Sequence, residues 1–487
     1  MDSINLDPTD WDDFRKAGHA ALDLMIDHLR TIREHPVWQP APENVRNNFR
    51  KPLPRGPREL SDVLAQFDSD IRPYVTGNTH PLFMGWVHGA GTPVGMIAEM
   101  LSAGLNANCG GRNHIAHDVE RQVTRWVAEA LGLPAESSGL FVTGSSMANF
   151  IGLLVARTMA VGGQVRQAGM QATDKRLVAY ASIEAHQCIA QAMELAGLGS
   201  DNLRLIETDA AGAMRADLLA AAVDADRAAG RSPFLVVGSA GTVNTGSIDP
   251  LDVIAGFARE RGLWFHVDGA IGAGAMLSSR LGPLMKGLER ADSVALDFHK
   301  WMHVPYDAGF VIVRDPAVHL QTFASDAAYL SRTKAGLAAG DIWPCDLGPD
   351  LSRGFRALKT WFTFETFGAD RIGACMEQNC AAARHLASRL HADGLFELRA
   401  PVALNIVCFS AKGDRADALN RWIVEDLHVS GEAAPSLTTI DGRTTIRAAI
   451  VNHRTTLVEI DAFVSALNRR VSAQGNEYDA AVLPTHL

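Results

Sequence analysis

A lysine and an aspartate, each directly after an apolar segment, are the residues of this sequence best suited to covalent chemistry. Lys300 lies in the stretch Asp297-Phe298-His299-Lys300-Trp301, which follows the apolar run Ser293-Val294-Ala295-Leu296. Asp268 follows a second run, Leu263-Trp264-Phe265-His266-Val267. An ammonium group is costly to bury without a partner, so Lys300 is either a solvated loop lysine or a group that serves a ligand.

Both apolar runs predict short buried strands. Because the carboxyl ends of parallel strands meet at one edge of a sheet, Lys300 and Asp268 would face the same ligand there. This pairing suits pyridoxal phosphate (PLP). A lysine can hold the aldehyde as a Schiff base, while an aspartate keeps the pyridine nitrogen protonated.

A small-residue loop supplies a candidate phosphate site. Gly144-Ser145-Ser146 follows the apolar run 140–143 and opens a helical pattern. Free N–H groups at a helix N-terminus bind anions, and the serine hydroxyls add donors. The same residues are also typical of an ordinary N-cap, and they match neither a Walker A loop nor GxGxxG. Beside Lys300 and Asp268, they fit a single phosphate ester.

Three further candidates each have more than one interpretation. His186 follows a predicted strand that ends near residue 182, and it is either structural or stacked flat on an aromatic cofactor. Thr242 lies in the loop 239–246, whose small residues either form a plain connector or let the backbone approach a ligand. His299 is a phosphate contact, a proton donor or a structural residue.

The segment from His80 to Gly91 is dense in aromatic residues, histidine and glycine, and it includes Trp86, Val87 and His88. Composition alone favours a turn-rich connector, and a binding loop is the alternative.

Composition narrows the class of protein. The chain has 487 residues, 47% of them hydrophobic, with a net charge of −10 and a pI of about 5.9, which argues against nucleic acid or an anionic membrane as a partner. The acidic N-terminus argues against a signal peptide, and no segment is long and apolar enough for a membrane span. The six cysteines lack CxxC spacing, so we predict no metal site and free thiols in a cytoplasmic protein. They are Cys109, Cys188, Cys345, Cys375, Cys380 and Cys408.

The element order predicts an α/β protein. An amphipathic helix over 11–33, capped by Asp10, is followed by a proline-rich irregular arm over 36–57 and a second helix over 57–68. Apolar strands alternating with helices then predict a mostly parallel sheet covered on both faces. The predicted strands centre on the runs 140–143, 177–180, 203–206, 234–237, 263–267, 293–296 and 310–313.

This order predicts four parts. Residues 1–79 form a helical arm, which we assign to dimerisation. Its two helices cannot bury their apolar stripes on each other alone, so they pack either on another subunit or on the main domain. Residues 80–355 form the large domain, residues 356–470 a smaller α+β domain, and residues 471–487 a poorly ordered tail.

The motifs, taken in order, resemble the PLP-dependent group II amino-acid decarboxylases, most closely the aromatic branch. The resemblance covers nearly the whole chain, and its HVD(A/G)A and HKW motifs are specific. The matching blocks are Gly144-Ser145-Ser146-Met147-Ala148-Asn149, Ala185-His186, Gly241-Thr242, His266-Val267-Asp268-Gly269-Ala270 and Asp297-Phe298-His299-Lys300-Trp301.

The resemblance implies PLP fold type I (aspartate-aminotransferase-like) and a homodimer with its active sites at the subunit interface. Lys300 would form the internal aldimine, and Asp268 would pair with the pyridinium nitrogen. His186 would stack on the ring, with Ala270 packed under it. The predicted neighbours of the phosphate are Ser145, Ser146 and His299, and Thr242 would lie near the ring substituents or the substrate.

The implied reaction is decarboxylation of an L-amino acid with an aromatic or other bulky side chain, through an external aldimine and a quinonoid, to the amine and carbon dioxide. The predicted substrate contacts are Trp86, Val87, His88 and His114.

The chain departs from the family pattern at one functional position. The family carries a tyrosine, thought to protonate Cα, on a mobile loop after the lysine strand. The corresponding region, Ser331 to Ser352, contains no tyrosine; Trp343 and Cys345 occupy it, and Tyr329 lies just before it. Either another donor replaces the phenol, or the enzyme is an aldehyde-forming oxidative deaminase or a lyase. The candidate donors are His88, His114 and His117.

Overall fold

The computed structural model describes residues 5–324, 332–340 and 342–477, with side chains through 473. The N-terminal part is helical, as predicted, and Asp10 caps its first helix by accepting hydrogen bonds from the N–H groups of Asp12 and Asp13. The predicted irregular arm contains one short helix, so that part of the prediction was wrong. The helices are α1 (Trp11–Arg30), α2 (Glu43–Asn48) and α3 (Leu60–Gln66).

A seven-stranded sheet forms the centre of the described chain. Its order is β1-β7-β6-β5-β4-β2-β3, and the run from β6 to β3 is parallel. β7 pairs antiparallel with both β1 and β6, so β1 and β6 point the same way. The strands are β1 (Ser138–Val142), β2 (Leu177–Ser182), β3 (Leu203–Ile206), β4 (Ser232–Ser239), β5 (Trp264–Asp268), β6 (Ser293–Asp297) and β7 (Gly309–Val313).

Helices cover both faces of this sheet, which is why its strands are continuous apolar runs instead of alternating ones. On one face, Phe141 of β1 and Val267 of β5 join a core with α5 and α10; on the other, Val142 and Ala295 pack with α6 and α8. The helices of this unit are α4 (Pro93–Leu105), α5 (Ala116–Leu131), α6 (Ser145–Val161), α7 (Val165–Ala168), α8 (Cys188–Leu195), α9 (Ala216–Ala228), α10 (Leu251–Arg261) and α11 (Pro316–Phe323).

The C-terminal part contains a four-stranded antiparallel sheet of order β10-β11-β9-β8, packed against helices. Its strands are β8 (Phe396–Leu398), β9 (Ile406–Ala411), β10 (Ser436–Ile440) and β11 (Arg443–Ala449). Its helices are α13 (Ala369–Asp393), α14 (Ala416–Ser430) and α15 (Leu457–Glu477), preceded by α12 (Arg356–Phe367). α12 packs against α4 and α5 of the large unit.

One boundary differs from expectation. α15 continues to Glu477, past the predicted start of the tail at 471, because Phe463 and Leu467 keep its apolar face on the small-domain core. The rest of the predicted tail lies outside the described residues. Among the helices that are described, none has both the length and the apolar character needed to cross a membrane.

Candidate active site

The carboxyl ends of β1, β4, β5 and β6 meet at one edge of the large sheet, around a cavity of about 350 Å³. β7 begins at the same edge, where Gly309 pairs with both Val142 and Asp297. The cavity therefore lies where strand ends bring together side chains that are far apart in sequence.

Lys300 and Asp297 form the charged centre of this cavity. Lys300 Nζ lies 2.8 Å from Asp297 Oδ2 and 3.5 Å from Ser145 Oγ. Burial opposes the charged form of Lys300, but Asp297, Asp268 and Tyr306 together outweigh that effect and raise the pKa of the lysine. Asp297 is almost fully buried, so its charge is well protected from solvent screening.

The loop Gly144-Ser145-Ser146 lies at the N-terminus of α6, as predicted. The Ser145 N–H donates to Asp297 Oδ1 at 2.7 Å. An added Cβ at Gly144 would meet nothing closer than 3.8 Å, so the space before this helix terminus is open toward His299 and Asp297. At Gly309 the situation is reversed, since a Cβ there would strike the Gly144 backbone at 2.3 Å. Gly309 thus lets β7 lie close under the loop.

Asp268 ends β5 and is buried, and its Oδ1 accepts a hydrogen bond from the Ala270 N–H at 3.2 Å. Burial raises the pKa of this carboxyl, while the nearby Lys300 and His186 act in the opposite direction. A buried carboxyl with spare acceptor capacity is suited to a cationic N–H donor, such as a protonated pyridine.

His186 and His299 flank the cavity as neutral rings. His186 Nδ1 accepts from the Cys188 N–H at 3.2 Å, and burial lowers the pKa of His186. His299 Nδ1 accepts from the Ala308 N–H at 2.9 Å, which places its Nε2 toward Asp297 at 3.7 Å. Burial lowers the pKa of His299 as well.

A polar network beneath the site orients β5. His266 Nδ1 is 2.7 Å from Ser293 Oγ, and His266 Nε2 is 2.7 Å from Asn149 Oδ1. Burial lowers the pKa of His266 to about 3, so the ring is neutral. Successive side chains of a strand point to opposite faces, so His266 and Asp268 lie on the same face of β5 and Val267 lies on the other. By holding His266, the network therefore fixes the position of Asp268 at the end of the strand.

Thr242 and Ala270 also line the cavity. The Thr242 hydroxyl is buried and lies 2.8 Å from Ser247 Oγ and 3.1 Å from Thr245 Oγ1. Gly241 adopts a φ of +88°, which only glycine tolerates readily, and this turn brings Thr242 to the cavity.

One wall of the cavity is more apolar. Trp86, Val87 and His88 lie there, and the His88 ring stacks on Trp86 and on Phe83 with centroids 5.6 and 5.7 Å away. The His80–Gly91 segment therefore contributes to the wall of the cavity, and its role in binding stays a prediction. Burial lowers the pKa of His88.

Arg447, from β11 of the small sheet, ties this wall to the loop after β4. Its guanidinium is buried and donates to the carbonyls of Trp86 (2.9 Å), Asn244 (3.0 Å) and Val243. It also lies 3.3 Å from Ser436 Oγ. Burial lowers the pKa of Arg447 to about 10, which leaves it charged at neutral pH.

The structure brings eleven of the twelve predicted site residues to this cavity, and their roles remain predictions. They are Trp86, Val87, His88, Ser145, Ser146, His186, Thr242, Asp268, Ala270, His299 and Lys300.

His114 is the exception: its Nε2 lies 3.2 Å from the Asn108 carbonyl oxygen, and it does not line the cavity of the single chain. His117 packs beside it, with ring centroids 4.3 Å apart. Trp343 is buried against Gly111, and the Cys345 N–H donates to the Gly110 carbonyl, so neither reaches the cavity in this chain. Tyr329 and Ser331 lie outside the described residues.

Three residues at the site were missed. Asp297 and Tyr306 line the cavity, and Arg447 supports its wall. Asp297 begins the stretch that contains Lys300, but no function was predicted for it from the sequence. Tyr306 has no signal in the sequence that could have found it, because it reaches the cavity only through the reversal of the chain that leads into β7 at Gly309.

The residues present fit PLP. Lys300 would hold the aldehyde carbon and Asp268 the pyridine nitrogen, while the open space before α6, with the hydroxyls of Ser145 and Ser146, suits the phosphate. A lysine and an aspartate at neighbouring strand ends, facing a helix N-terminus in this α/β fold, define a PLP-dependent enzyme of fold type I.

Comparison with known proteins identifies the family. The pyridoxal-dependent decarboxylase conserved domain matches residues 42–412, and the chain belongs to this family. Aromatic-L-amino-acid decarboxylase of Bacillus atrophaeus is 30% identical over 475 residues, covering 95% of this chain and 96% of that protein. Phenylacetaldehyde synthase of Arabidopsis thaliana is 28% identical over 460 residues, covering 91% and 93%. The protein is thus a PLP-dependent carboxy-lyase.

Solved structures share the fold. The crystal structure of Oryza sativa TDC with PLP and tryptamine superposes with a TM-score of 0.89 at 23% identity. The match covers 96% of this chain and 100% of that one. At that identity the likeness establishes the fold alone, which agrees with the predicted fold type I.

Proposed function

We propose that this enzyme decarboxylates an L-amino acid with an aromatic or other bulky side chain, releasing the amine and carbon dioxide. The observation that carries the proposal is the placement of Lys300 and Asp268 in one cavity whose other wall is formed by Trp86, Val87 and His88. A polar, charged side and an apolar side are what an amino acid with a large side chain needs. Relatives named for aromatic amino acids support the same class.

The proposal gives each of these residues a role. Bound PLP supplies an electron sink that weakens the bond between the substrate Cα and its carboxylate. Asp268 keeps a proton on the pyridine nitrogen, because a buried carboxylate favours a cationic N–H partner. His186 and Ala270 would lie against the two faces of the ring, and Thr242 would lie near its substituents.

The phosphate would be held at the start of α6. Ser145 and Ser146 offer hydroxyls, and His299 faces the same space through its Nε2 edge. Lys300 would attach the cofactor covalently and release it to the incoming amine. These positions fix the cofactor before the substrate arrives, so that binding energy is used for orienting the carboxylate.

An aldehyde-forming oxidative deaminase is the second candidate. It is favoured by the lack of a tyrosine between residues 331 and 352, and phenylacetaldehyde synthase is among the named relatives. Dioxygen decides between the two functions. Peroxide formed in proportion to carbon dioxide in air would support the aldehyde reaction and contradict our preferred one.

We also propose a homodimer, through the N-terminal arm. No residue of α1 or α3 is buried in the single chain, although both helices carry large apolar side chains. Such a surface suits a second copy. The most exposed apolar side chains on the two helices are Trp11, Phe14, Ile26, Leu60 and Val63.

Light scattering tests the dimer. The double substitution Phe14→Asp, Ile26→Asp should halve the mass of the particle, whereas Lys16→Ala on the same helix should leave it unchanged. A monomeric wild-type enzyme would contradict the proposal.

All six cysteines are free thiols, and we place the enzyme in the cytoplasm on that ground.

The substrate is identified by carbon dioxide release from a panel of L-amino acids, with the PLP-loaded enzyme. We expect release from at least one of phenylalanine, tyrosine, tryptophan and histidine, at rates well above those with aspartate or lysine. Release only from small or acidic substrates would contradict the proposed substrate class. No release from any amino acid would contradict the proposed function.

A further inference from the structure

Decarboxylation needs a proton donor as well as an electron sink, because the substrate carbon that loses carbon dioxide must gain a proton to become an amine. The donor has to lie in the cavity and carry a proton at neutral pH. The ionisable residues that line the described cavity are His88, His186, Asp268, Asp297, His299, Lys300 and Tyr306.

Four of these residues already have partners in the cavity or an expected partner in the cofactor. Asp297 and Lys300 are paired at 2.8 Å. Asp268 is the partner expected for the pyridine nitrogen, so it faces away from the reacting carbon. His299 accepts an N–H from Ala308 on one ring nitrogen and faces Asp297 with the other. The Lys300 ammonium is thus directed at Asp297 and Ser145, and the Nε2 edge of His299 at Asp297.

The remaining histidines are poor acids. Burial lowers the pKa of His186 and of His88, which keeps both rings neutral. His186 is also expected to lie flat against the cofactor ring. His88 is held in a stack with Phe83 and Trp86. A neutral imidazole N–H gives up its proton far less readily than a phenol does.

Tyr306 is held at the cavity by contacts with four residues. Its ring lies 4.3 Å from that of His299, and it meets His88 edge-on with centroids 6.3 Å apart. Its hydroxyl oxygen accepts a hydrogen bond from the Gly89 N–H, and it lies close enough to Lys300 for the two charges to interact. Gly89 can approach because it has no Cβ; an added one would strike the His299 carbonyl oxygen at 2.1 Å.

We propose that Tyr306 is the proton donor to the substrate carbon that has lost carbon dioxide. The inference rests on the proposed decarboxylase function and names a residue for its last step. The Tyr306 O–H bond breaks, a C–H bond forms at that carbon, and the electron pair stays on the phenolate oxygen. Lys300 and the Gly89 N–H stabilise the phenolate until solvent returns the proton.

The proposal explains how a chain without a tyrosine between residues 331 and 352 could still form an amine. If the phenol is removed, the electron-rich carbon persists and dioxygen can oxidise it. One amino acid, one dioxygen and one water then give one aldehyde and one each of ammonia, carbon dioxide and hydrogen peroxide. The ratio of amine to aldehyde therefore measures whether the proton donor works, and the release of carbon dioxide measures decarboxylation independently.

The first experiment compares Tyr306→Phe with the wild-type holoenzyme on L-phenylalanine, L-tyrosine and L-tryptophan, in air and without oxygen. We expect the amine formed per carbon dioxide to fall at least about 100-fold in air, with aldehyde and peroxide in its place. Tyr74→Phe, in the N-terminal arm, is the matched control and should keep the wild-type ratio. An unchanged product ratio in Tyr306→Phe would overturn the inference.

The second experiment uses the apo-protein and measures no activity. Tyrosines labelled with ¹³C at Cζ are titrated by NMR, and the Tyr306 signal is the one missing from Tyr306→Phe. The groups that face this hydroxyl are Lys300, Asp297, His88 and His299. Burial raises the pKa of Tyr306, whereas Lys300 lowers it, so Lys300→Ala should move the titration to higher pH. No shift in Lys300→Ala would overturn the contact.

The results distinguish a wrong function from a wrong proton donor. If the wild type releases no carbon dioxide from these amino acids, the proposed function is wrong and the inference falls with it. If the wild type already forms aldehyde and peroxide in proportion to carbon dioxide, Tyr306 is not an effective donor. If Tyr306→Phe releases carbon dioxide and still forms amine, the function stands and the inference alone is wrong.

Discussion

The Lys300 ammonium lies 2.8 Å from the Asp297 carboxylate, which is only three residues earlier in the chain. The other oxygen of the same carboxylate accepts the Ser145 N–H at the start of α6. One buried anion therefore connects the lysine with the predicted phosphate site. It favours the ammonium form of the lysine, although attack on an aldehyde requires the neutral amine.

Asp297→Asn should speed attachment of the cofactor at neutral pH. Without the anion, the pKa of Lys300 falls, so more of the lysine is neutral at pH 7. A charge-assisted hydrogen bond of about 1.5 kcal/mol corresponds to a shift of about one pH unit. Stopped-flow absorbance after mixing apo-protein with PLP, repeated across pH, measures that shift.

Asp292→Asn is the matched control for this charge change. Asp292 precedes the opposite end of the same strand, where it accepts the Phe265 N–H at 2.8 Å. Its removal should leave the pH profile of attachment in place. A profile for Asp297→Asn that stays fixed or moves to higher pH would show that Asp297 does not control the lysine.

Lys300→Ala should abolish covalent attachment of PLP and lower the rate of carbon dioxide release at least about 1,000-fold. The visible absorbance band should be lost, and borohydride reduction should add no cofactor mass. Lys286→Ala provides the comparison, because Lys286 is a solvent-exposed lysine paired with Asp252 at the surface. Cofactor mass retained by Lys300→Ala would place the Schiff base on a different lysine.

Much of the fold was predictable because its cause is local. Runs such as 293–296 are wholly apolar, since both faces of the strand are covered, and this pattern marks a central strand without further information. The reversal of β7 was not predictable in this way. A five-residue apolar strand reads the same in either direction, and its antiparallel pairing with β1 and β6 depends on partners far away in sequence.

The site residues also differ in whether local sequence is enough to predict them. Asp268 and Lys300 were found because each is a polar residue directly after a buried strand. Tyr306 escaped because it reaches the cavity only through the reversal that starts β7. Arg447 was not predicted because it comes from the second sheet. Its partners are the backbone carbonyls of Trp86 and Asn244, and every residue type has such a group, so the sequence does not mark them.

Arg447→Met should destabilise the protein and weaken substrate binding. Truncation removes the guanidinium that donates to three backbone carbonyl groups, which costs about 2–4 kcal/mol in the free energy of unfolding. The wall at Trp86 should loosen, so KM should rise more than kcat falls. Chemical denaturation of the holoenzyme and steady-state kinetics measure the two effects.

Arg443→Met, on the same strand, separates the loss of an arginine from the loss of these contacts. Arg443 forms a surface ion pair with Asp417 at 2.9 Å, and exposed ion pairs contribute little to stability. Its KM should match that of the wild type. Equal destabilisation in both variants would mean that the carbonyl contacts of Arg447 carry no special weight.

A buried histidine far from the cavity should make stability depend on pH. His319 Nδ1 lies 2.6 Å from Ser138 Oγ and Nε2 lies 2.7 Å from the Leu347 carbonyl oxygen; burial lowers the pKa of His319 to about 4. In the unfolded chain a histidine titrates near 6.5. Between these values only the unfolded state binds the proton, so stability is full above pH 6.5 and falls toward pH 4.

Replacing His319 with glutamine isolates this contribution, because glutamine keeps hydrogen-bonding capacity but does not titrate. The free energy of unfolding of the wild type, minus that of His319→Gln, should decrease by about 2 kcal/mol between pH 7 and pH 5. Other buried histidines, such as His266, titrate alike in both proteins and cancel in the difference. His391→Gln, on the exposed side of α13, is the comparison variant. A flat difference for His319→Gln would mean that this imidazole accepts a proton in the folded protein, against the cost of charging it in a buried site.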